Sequence, residues 1–396
     1  MDDPSAACND LGMMELSVRR PPYLIPAYSL TGDLLSFQRC QLQYRLGTIG
    51  NLPATRPVQL WFGQFIHGVM EEAFRRYRRS KDATGTGHFP ASQELQEIID
   101  LITRRLGASG LRARNRDLET VGFERARAAM HDLAPELFPI ISEAEIPLSG
   151  TRHLPQKGWP SNVPRRESDR YEMSGVVDVI TEIQLDDPQL RGNRIVSAIQ
   201  SAVPRPLPTR FEIIVDYKGM RRPALTPLPR GADYWRIYEW QLQTYAQLRS
   251  VQTGARPVVG AALVFLNEFH QTWSDVRTLR EEVKSGRTDI VPAGVDAQAL
   301  AVATRERVPV FSFAFRLARA LRVVHVTPAS QKVAAEHFDQ VVFDIELARA
   351  KERQSPHIRK EWPANDSDEA TCAACDWLTT CPAHPGLKPK LPPPAA

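Results

Sequence analysis

Ile213-Ile214-Val215-Asp216-Tyr217-Lys218-Gly219 is the segment from which the rest of the chain can be understood. Its first three residues are apolar and β-branched, a composition that predicts a buried strand. Side chains alternate between the faces of a strand, so Asp216 and Lys218 point the same way and Tyr217 the other. A carboxylate and an ammonium side by side at a strand end can hold a metal ion and steer an attacking water. Alone, such a pair is most often a surface ion pair; its weight depends on further metal-site residues elsewhere in the chain.

With 50 basic and 46 acidic residues among 396, the net charge is only +4, so a polyanionic partner has to be sought in local clusters rather than in overall charge. Three basic sets stand out: Arg75 to Lys81 with Tyr77 inside it, Arg104 to Arg116, and Arg221-Arg222 just beyond Lys218. Solvated helix faces are the ordinary explanation of such sets, and a substrate polyanion is the alternative. The N-terminus shows neither a basic region nor an apolar one of the secretory type, and no apolar run reaches the roughly 20 residues needed to span a bilayer. The expectation is a cytoplasmic protein with no membrane partner.

Residues 1–30, broken by Pro21, Pro22 and Pro26, are expected to form a flexible lead-in. One domain is expected over 31–385, with a helical insertion over about 82–170, and the proline-rich tail over 386–396 is expected to be disordered. The clearest amphipathic helix covers 58–80, with Leu60, Phe62, Phe65, Ile66, Val69, Met70, Ala73 and Phe74 as its apolar stripe. His67 and Glu71 lie four apart on one face of it. Residues 92–145 read as helical and 150–170 as a loop. A strand follows over 171–183 with Asp178 in its middle, a residue costly to bury there unless it is paired or bound to a metal. After an irregular insertion over 184–210 comes the strand of Asp216, so the two acidic strands read as neighbours in a hairpin with an enlarged loop. Residues 234–250 predict a helix with Gln241 and Tyr245 one turn apart. Residues 258–265 predict a strand and 310–352 a largely helical segment.

Cys372, Cys375 and Cys381 form C-x2-C-x5-C, and Cys40 lies in an ordered segment, whereas Cys8 lies in the lead-in. Without a secretory signal, metal binding is favoured over a disulfide framework. Four thiolates suit structural zinc or a 4Fe-4S cluster, and spacing does not decide between them.

Taken together, Gly63-x3-His67-x3-Glu71, Gly175-x2-Asp178, Asp216-x-Lys218 and Gln241-x3-Tyr245 resemble the PD-(D/E)XK nuclease superfamily. The similarity is to its RecB-like branch, which includes the iron–sulfur nuclease of CRISPR adaptation and the nuclease domains of helicase–nucleases. Cys40, in Arg-Cys-x3-Tyr ahead of the His67 helix, and the C-terminal C-x2-C-x5-C match that branch's cluster pattern. The segment Gly219-Met220-Arg221-Arg222-Pro223 departs from the Thr/Ser-Gly that often follows the lysine in the family.

The resemblance implies an α/β, restriction-endonuclease-like core: a mixed central sheet flanked by helices, with helical insertions. It implies a 4Fe-4S cluster on Cys40, Cys372, Cys375 and Cys381, stapling a subregion made of Cys40 and 365–385. It also implies Mg2+ or Mn2+ held by His67, Asp178, Asp216 and the carbonyl of Tyr217, with Lys218 positioning the water and Gln241 and Tyr245 orienting substrate or the lysine. The expected activity is a metal-dependent DNA nuclease, an exonuclease on single-stranded DNA or DNA ends, in DNA repair and recombination or antiviral CRISPR defence. A helicase or defence protein would be its partner, and Arg75, Arg76, Arg221 and Arg222 would contact DNA. Two alternatives stand beside this: a non-catalytic DNA-binding or scaffold subunit of a helicase–nuclease or defence complex, and a zinc-stapled binding module with structural acidic residues.

Overall fold

The computed structural model describes residues 25–52, 58–155, 157–166, 168–355 and 357–383. Cys8, the lead-in as far as residue 24, and the tail from 384 lie outside the described residues. In chain order the principal elements are β1 (Ala27–Ser29), α1 (Val58–Thr84), α2 (Ser92–Ala108), α3 (Arg116–Asp132), β2 (Ile141–His153), β3 (Arg170–Gln184), α4 (Arg194–Ala202) and β4 (Arg210–Lys218). They continue with α5 (Tyr234–Ser250), β5 (Val258–Phe265), α6 (Trp273–Lys284), α7 (Gly294–Val302), α8 (Phe313–Ala320), β6 (Leu321–His325) and α9 (Pro328–Gln354). The chain divides into two compact units where one domain was expected over 31–385. One comprises the described residues of Met1–Pro53, Leu148–Gly175 and Lys332–Ala396, the other those of Ala54–Pro147 and Val176–Gln331.

The second unit is built on a mixed sheet. β3 and β4 are antiparallel with Val179 opposite Val215, β4 and β5 are parallel with Asp216 opposite Leu263, and β5 and β6 are antiparallel. Every residue of β4 from Phe211 to Tyr217 is buried, as a strand covered on both faces must be. α1 supplies a stripe of Trp61, Phe65, Ile66, Val69, Met70 and Ala73 to the core that also contains Val215, Tyr217 and Val264. Trp61 rather than Leu60 begins that stripe, since Leu60 is exposed.

Three expectations give way here. The helical reading of 92–145 fails at its end, because β2 begins at Ile141. The irregular stretch 184–210 contains α4, whose Asn193 side chain caps the helix by accepting from the Val196 N–H. The segment 310–352 is interrupted by β6, the five residues Leu321–His325. These are short amphipathic runs whose periodicity does not separate helix from strand, so tertiary pairing decides.

In the first unit β1 runs parallel to Glu172–Ser174 of β3, so the expected lead-in ends before Ala27. The Tyr171 ring stacks on Phe338 of α9 at 5.8 Å, and Asp339 accepts from both Arg152 and Tyr171. Trp362 is fully buried, edge-on to Phe37, and its indole N–H donates to Glu352 at 2.8 Å.

The segment leaving β4 is held by a buried charge cluster in the second unit. Glu268 and Arg319 are each about 1 % exposed and paired at 2.7 Å, and Glu268 also accepts the Arg222 N–H at 2.8 Å. Breaking one side of such a pair leaves an uncompensated buried charge. Arg319→Met is therefore expected to lower stability by about 3–5 kcal/mol. The check is a fall in the urea midpoint at unchanged m-value. Arg319→Met/Glu268→Leu should recover part of the loss, and an unshifted midpoint in the single variant would show the pair to be dispensable.

Candidate active site

Asp216 and Lys218 share a face at the end of β4, and Lys218 Nζ lies 2.6 Å from Asp216 Oδ2. Gln241, one turn before Tyr245 on α5, ties the two together. Its Oε1 accepts from Lys218 Nζ at 2.8 Å, and its Nε2 donates to Asp216 Oδ1 at 3.1 Å and to the Tyr245 hydroxyl at 3.3 Å. The Lys218 ammonium also sits 4.4 Å from the Tyr238 ring centroid, a cation–π contact that further limits its freedom.

Asp178 continues the β3–β4 register one step beyond Val179–Val215, which brings it beside Asp216. Its Oδ2 accepts the Tyr217 N–H at 2.7 Å, and its Oδ1 lies 3.4 Å from His67 Nδ1. The other nitrogen of His67 is 3.1 Å from the Tyr217 carbonyl oxygen. α1 can approach β4 this closely because Gly219 follows Lys218. A Cβ at Gly219 would lie 3.3 Å from the Gly63 Cα and 3.2 Å from the Phe62 ring.

Glu145 joins this group and was not picked out by sequence. Ligand atoms of His67, Glu145 and Asp178 lie within 4.8 Å of one another. Glu145 lies within β2 with φ +53°, a conformation a non-glycine residue rarely adopts. It was missed because 92–145 reads as helical; the signal available was the pair of acidic residues Glu143 and Glu145 just before Ile146-Pro147.

The electrostatics ask for a cation. Burial raises the Asp216 pKa above the ordinary carboxylate value against the pull of Lys218, and Asp178 adds to the rise. Burial and then Asp178 push Glu145 up to about 7. Burial acts most strongly on His67 and would lower it, but Asp178, Asp216 and Glu145 together outweigh burial and hold the ring at about 9. Asp216 Oδ2 is buried, and its contact is the ion pair with the Lys218 ammonium. A hard divalent ion fits this set.

The arginines expected at DNA are placed differently. Arg222 is 3 % exposed, with its guanidinium on Asp289 and on the Arg319 and Leu321 carbonyls, which corrects the expectation that it reaches phosphates. Arg221 is paired with Glu282 at 2.7 Å, Arg75 with Glu71, and Arg76 with Glu72 and Glu94.

The four cysteines all lie in the first unit. The Cys372 thiol is raised by burial and by the neighbouring Cys40, Cys381 and Cys375, so the four are electrostatic neighbours. Cys40 is buried, and its sulfur accepts the Asn365 N–H at 3.4 Å.

Residues 32–191 match the PD-(D/E)XK nuclease superfamily, a grouping of metal-dependent nucleases. The match takes in Cys40, His67, Glu145 and Asp178 and ends before β4. A mixed sheet flanked by helices agrees with the core of that superfamily. A search of the curated proteins finds no match.

Metal ligands must be deprotonated, so a cation entering this group expels protons from Glu145 and His67. Mn2+ affinity is therefore expected to rise with pH between about 6 and 9, the range set by Glu145 near 7 and His67 near 9. Calorimetry in buffers of different ionisation enthalpy reads the released protons directly. Glu145→Gln should weaken Mn2+ binding and remove the lower part of this dependence; an affinity flat across that range would exclude these ligands.

Proposed function

We propose that the chain is a metal-dependent DNA nuclease of the RecB-like type that hydrolyses phosphodiester bonds in single strands or at DNA ends. The observation that carries this reading is the convergence of His67, Glu145 and Asp178 beside the Asp216–Lys218–Gln241 triangle. A basic side chain held beside a buried carboxylate and a set of convergent oxygen and nitrogen donors is the equipment for phosphoryl chemistry.

His67, Glu145, Asp178, Asp216 and the Tyr217 carbonyl would hold Mg2+ or Mn2+. When bound, the ion supplies Lewis acidity to a phosphate oxygen and lowers the pKa of water. Lys218 is the protein's own contribution to the reacting phosphate. Fixed by Asp216, Gln241 and the Tyr238 ring, its ammonium is aimed before substrate arrives, so neutralising charge that grows in the transition state requires little reorganisation. Tyr245 acts one step further out, as a positioning residue for the Gln241 amide.

Cys40, Cys372, Cys375 and Cys381 would hold a 4Fe-4S cluster. Four neighbouring thiols drawn from both ends of the sequence, one of them already accepting a backbone N–H, support this assignment. DNA repair and recombination or antiviral defence, with a helicase or defence protein as partner, is the setting such a nuclease fits. No described helix is long and apolar enough to cross a membrane.

Asp216→Ala and Lys218→Ala should each reduce cleavage of end-labelled single-stranded DNA in Mn2+ by at least about a hundredfold, without loss of fold. Full turnover by both variants would make the site structural and leave a DNA-binding scaffold as the reading. Anaerobically purified protein should be brown with about four iron atoms per chain. Cys40→Ser should lose the iron and Cys8→Ser keep it; a colourless protein containing zinc would overturn the cluster.

A further inference from the structure

A cluster of unpaired arginines lies elsewhere in the second unit, among the described residues. α2 and α3 are joined by a short connection, and between Arg104 and Glu119 the sequence has five arginines against two acidic residues, Asp117 and Glu119. That local excess of three compares with +4 for the whole chain. Among the described residues, Arg104, Arg105, Arg112, Arg114 and Arg116 have no ion-pair or hydrogen-bonding partner for their side chains, in contrast to Arg75, Arg76, Arg221 and Arg222.

Three of these arginines surround a cavity. Arg104, Arg112 and Arg116 line a basin of about 620 Å³ with Trp61, Thr103 and Glu119. The Thr103 hydroxyl oxygen on its wall is buried with no hydrogen-bond partner. The α3 N-terminus also opens here, capped by Asn115, and its amide dipoles favour an anion although Asp117 and Glu119 work against them.

The basin adjoins the catalytic elements. Trp61 on its floor precedes His67 by six residues of α1, about 9 Å along the helix axis. The neighbouring Phe62 is the residue against which Gly219 packs, immediately after Lys218. Trp61 and Phe62 thus join the basin to the segment that carries Lys218, within reach of a strand a few nucleotides long.

We propose that this basin is the seat of the substrate's phosphate backbone, with Arg104, Arg112 and Arg116 holding the phosphates of a single DNA strand a few nucleotides from the scissile bond. The proposal rests on the nuclease reading above and assigns to the α2–α3 connection the role that sequence assigned to Arg75, Arg76, Arg221 and Arg222. A single strand suits the basin because arginines on a curved, exposed connection can follow a backbone without reading bases, and binding would be tolerant of sequence.

The test uses the full chain and a labelled thymidine oligonucleotide, with binding measured in Ca2+ across a salt series and cleavage measured in Mn2+. Arg104→Gln/Arg112→Gln/Arg116→Gln is compared with Arg277→Gln/Arg305→Gln/Arg307→Gln, which removes the same charge from exposed positions elsewhere. The basin variant should bind more weakly, with the slope of log K against log salt smaller by about 2, since each single-strand contact contributes about 0.7. KM should rise at unchanged kcat, and the comparison variant should match wild type. Equal weakening of both variants would reduce the effect to bulk charge and overturn the basin. Wild-type affinity and slope in the basin variant, with cleavage intact, would overturn the basin and leave the nuclease reading standing. A wild-type protein that neither binds nor cleaves the oligonucleotide would overturn the nuclease reading and the basin with it.

Discussion

Asp178 and Asp216 project from adjoining strands into the same small space, and Glu145 stands beside the first of them. Like charges at such separations repel strongly where water is scarce, and burial penalises each on its own account. The surrounding residues are arranged to offset this. Lys218 sits against Asp216, the Tyr217 N–H satisfies one oxygen of Asp178, and His67 faces the other. Lys218 meets Asp216 Oδ2 as an ion pair, while Glu145 keeps a raised pKa beside Asp178, so a divalent cation would relieve the repulsion that remains. A site that is over-supplied with negative charge and held rigid is suited to bind a divalent ion and to present it with little reorganisation.

Rigidity comes from the elements that carry these groups. β4 is buried along nearly its whole length, and its exit is anchored where Glu268 accepts the Arg222 N–H and pairs with Arg319. This anchor also explains why Arg221 and Arg222, though adjacent, cannot serve together at a nucleic acid: Arg222 is turned inward to the charge cluster. On the opposite side, the contact of Gly219 with Phe62 and Gly63 lets α1 lie close enough for His67 to meet the Tyr217 carbonyl. A side chain at Gly219 would have to displace that helix and, with it, a candidate ligand.

The distribution of arginines shows how little overall charge says about partners. Arg221, Arg222, Arg249 and Arg319 beside the sheet are held in intramolecular ion pairs, Arg319 fully buried, so their charge is met within the protein. The α2–α3 connection differs because its arginines rise from a loop and helix ends and, among the described residues, none is ion-paired, although Glu119 lines the same basin. Clustering in sequence was the same for both kinds of set. Glu71 and Glu72 are i,i+4 partners that the helix itself supplies to Arg75 and Arg76, whereas Glu94, Glu282 and Asp289 reach their arginines only through packing.

Long periodic or continuously apolar segments were legible from the sequence. The helix carrying Gln241 and Tyr245, the strand Val258–Phe265 and the pairing of the Asp178 and Asp216 strands followed from residue pattern, because burial of a whole face imposes a period. The sharing of one strand face by Asp216 and Lys218 needed nothing more than strand geometry. What the pattern did not carry was Glu145, which reaches the site through a left-handed backbone step in a segment that reads as helix. It also did not carry the fate of Arg222, which depends on an aspartate 67 residues further along the chain. Local sequence determines which face of an element is apolar and which residues share it. Which carboxylates converge, and whether Arg221 and Arg222 are already paired, is decided when distant segments pack, since those interactions exist only between elements that the fold brings together.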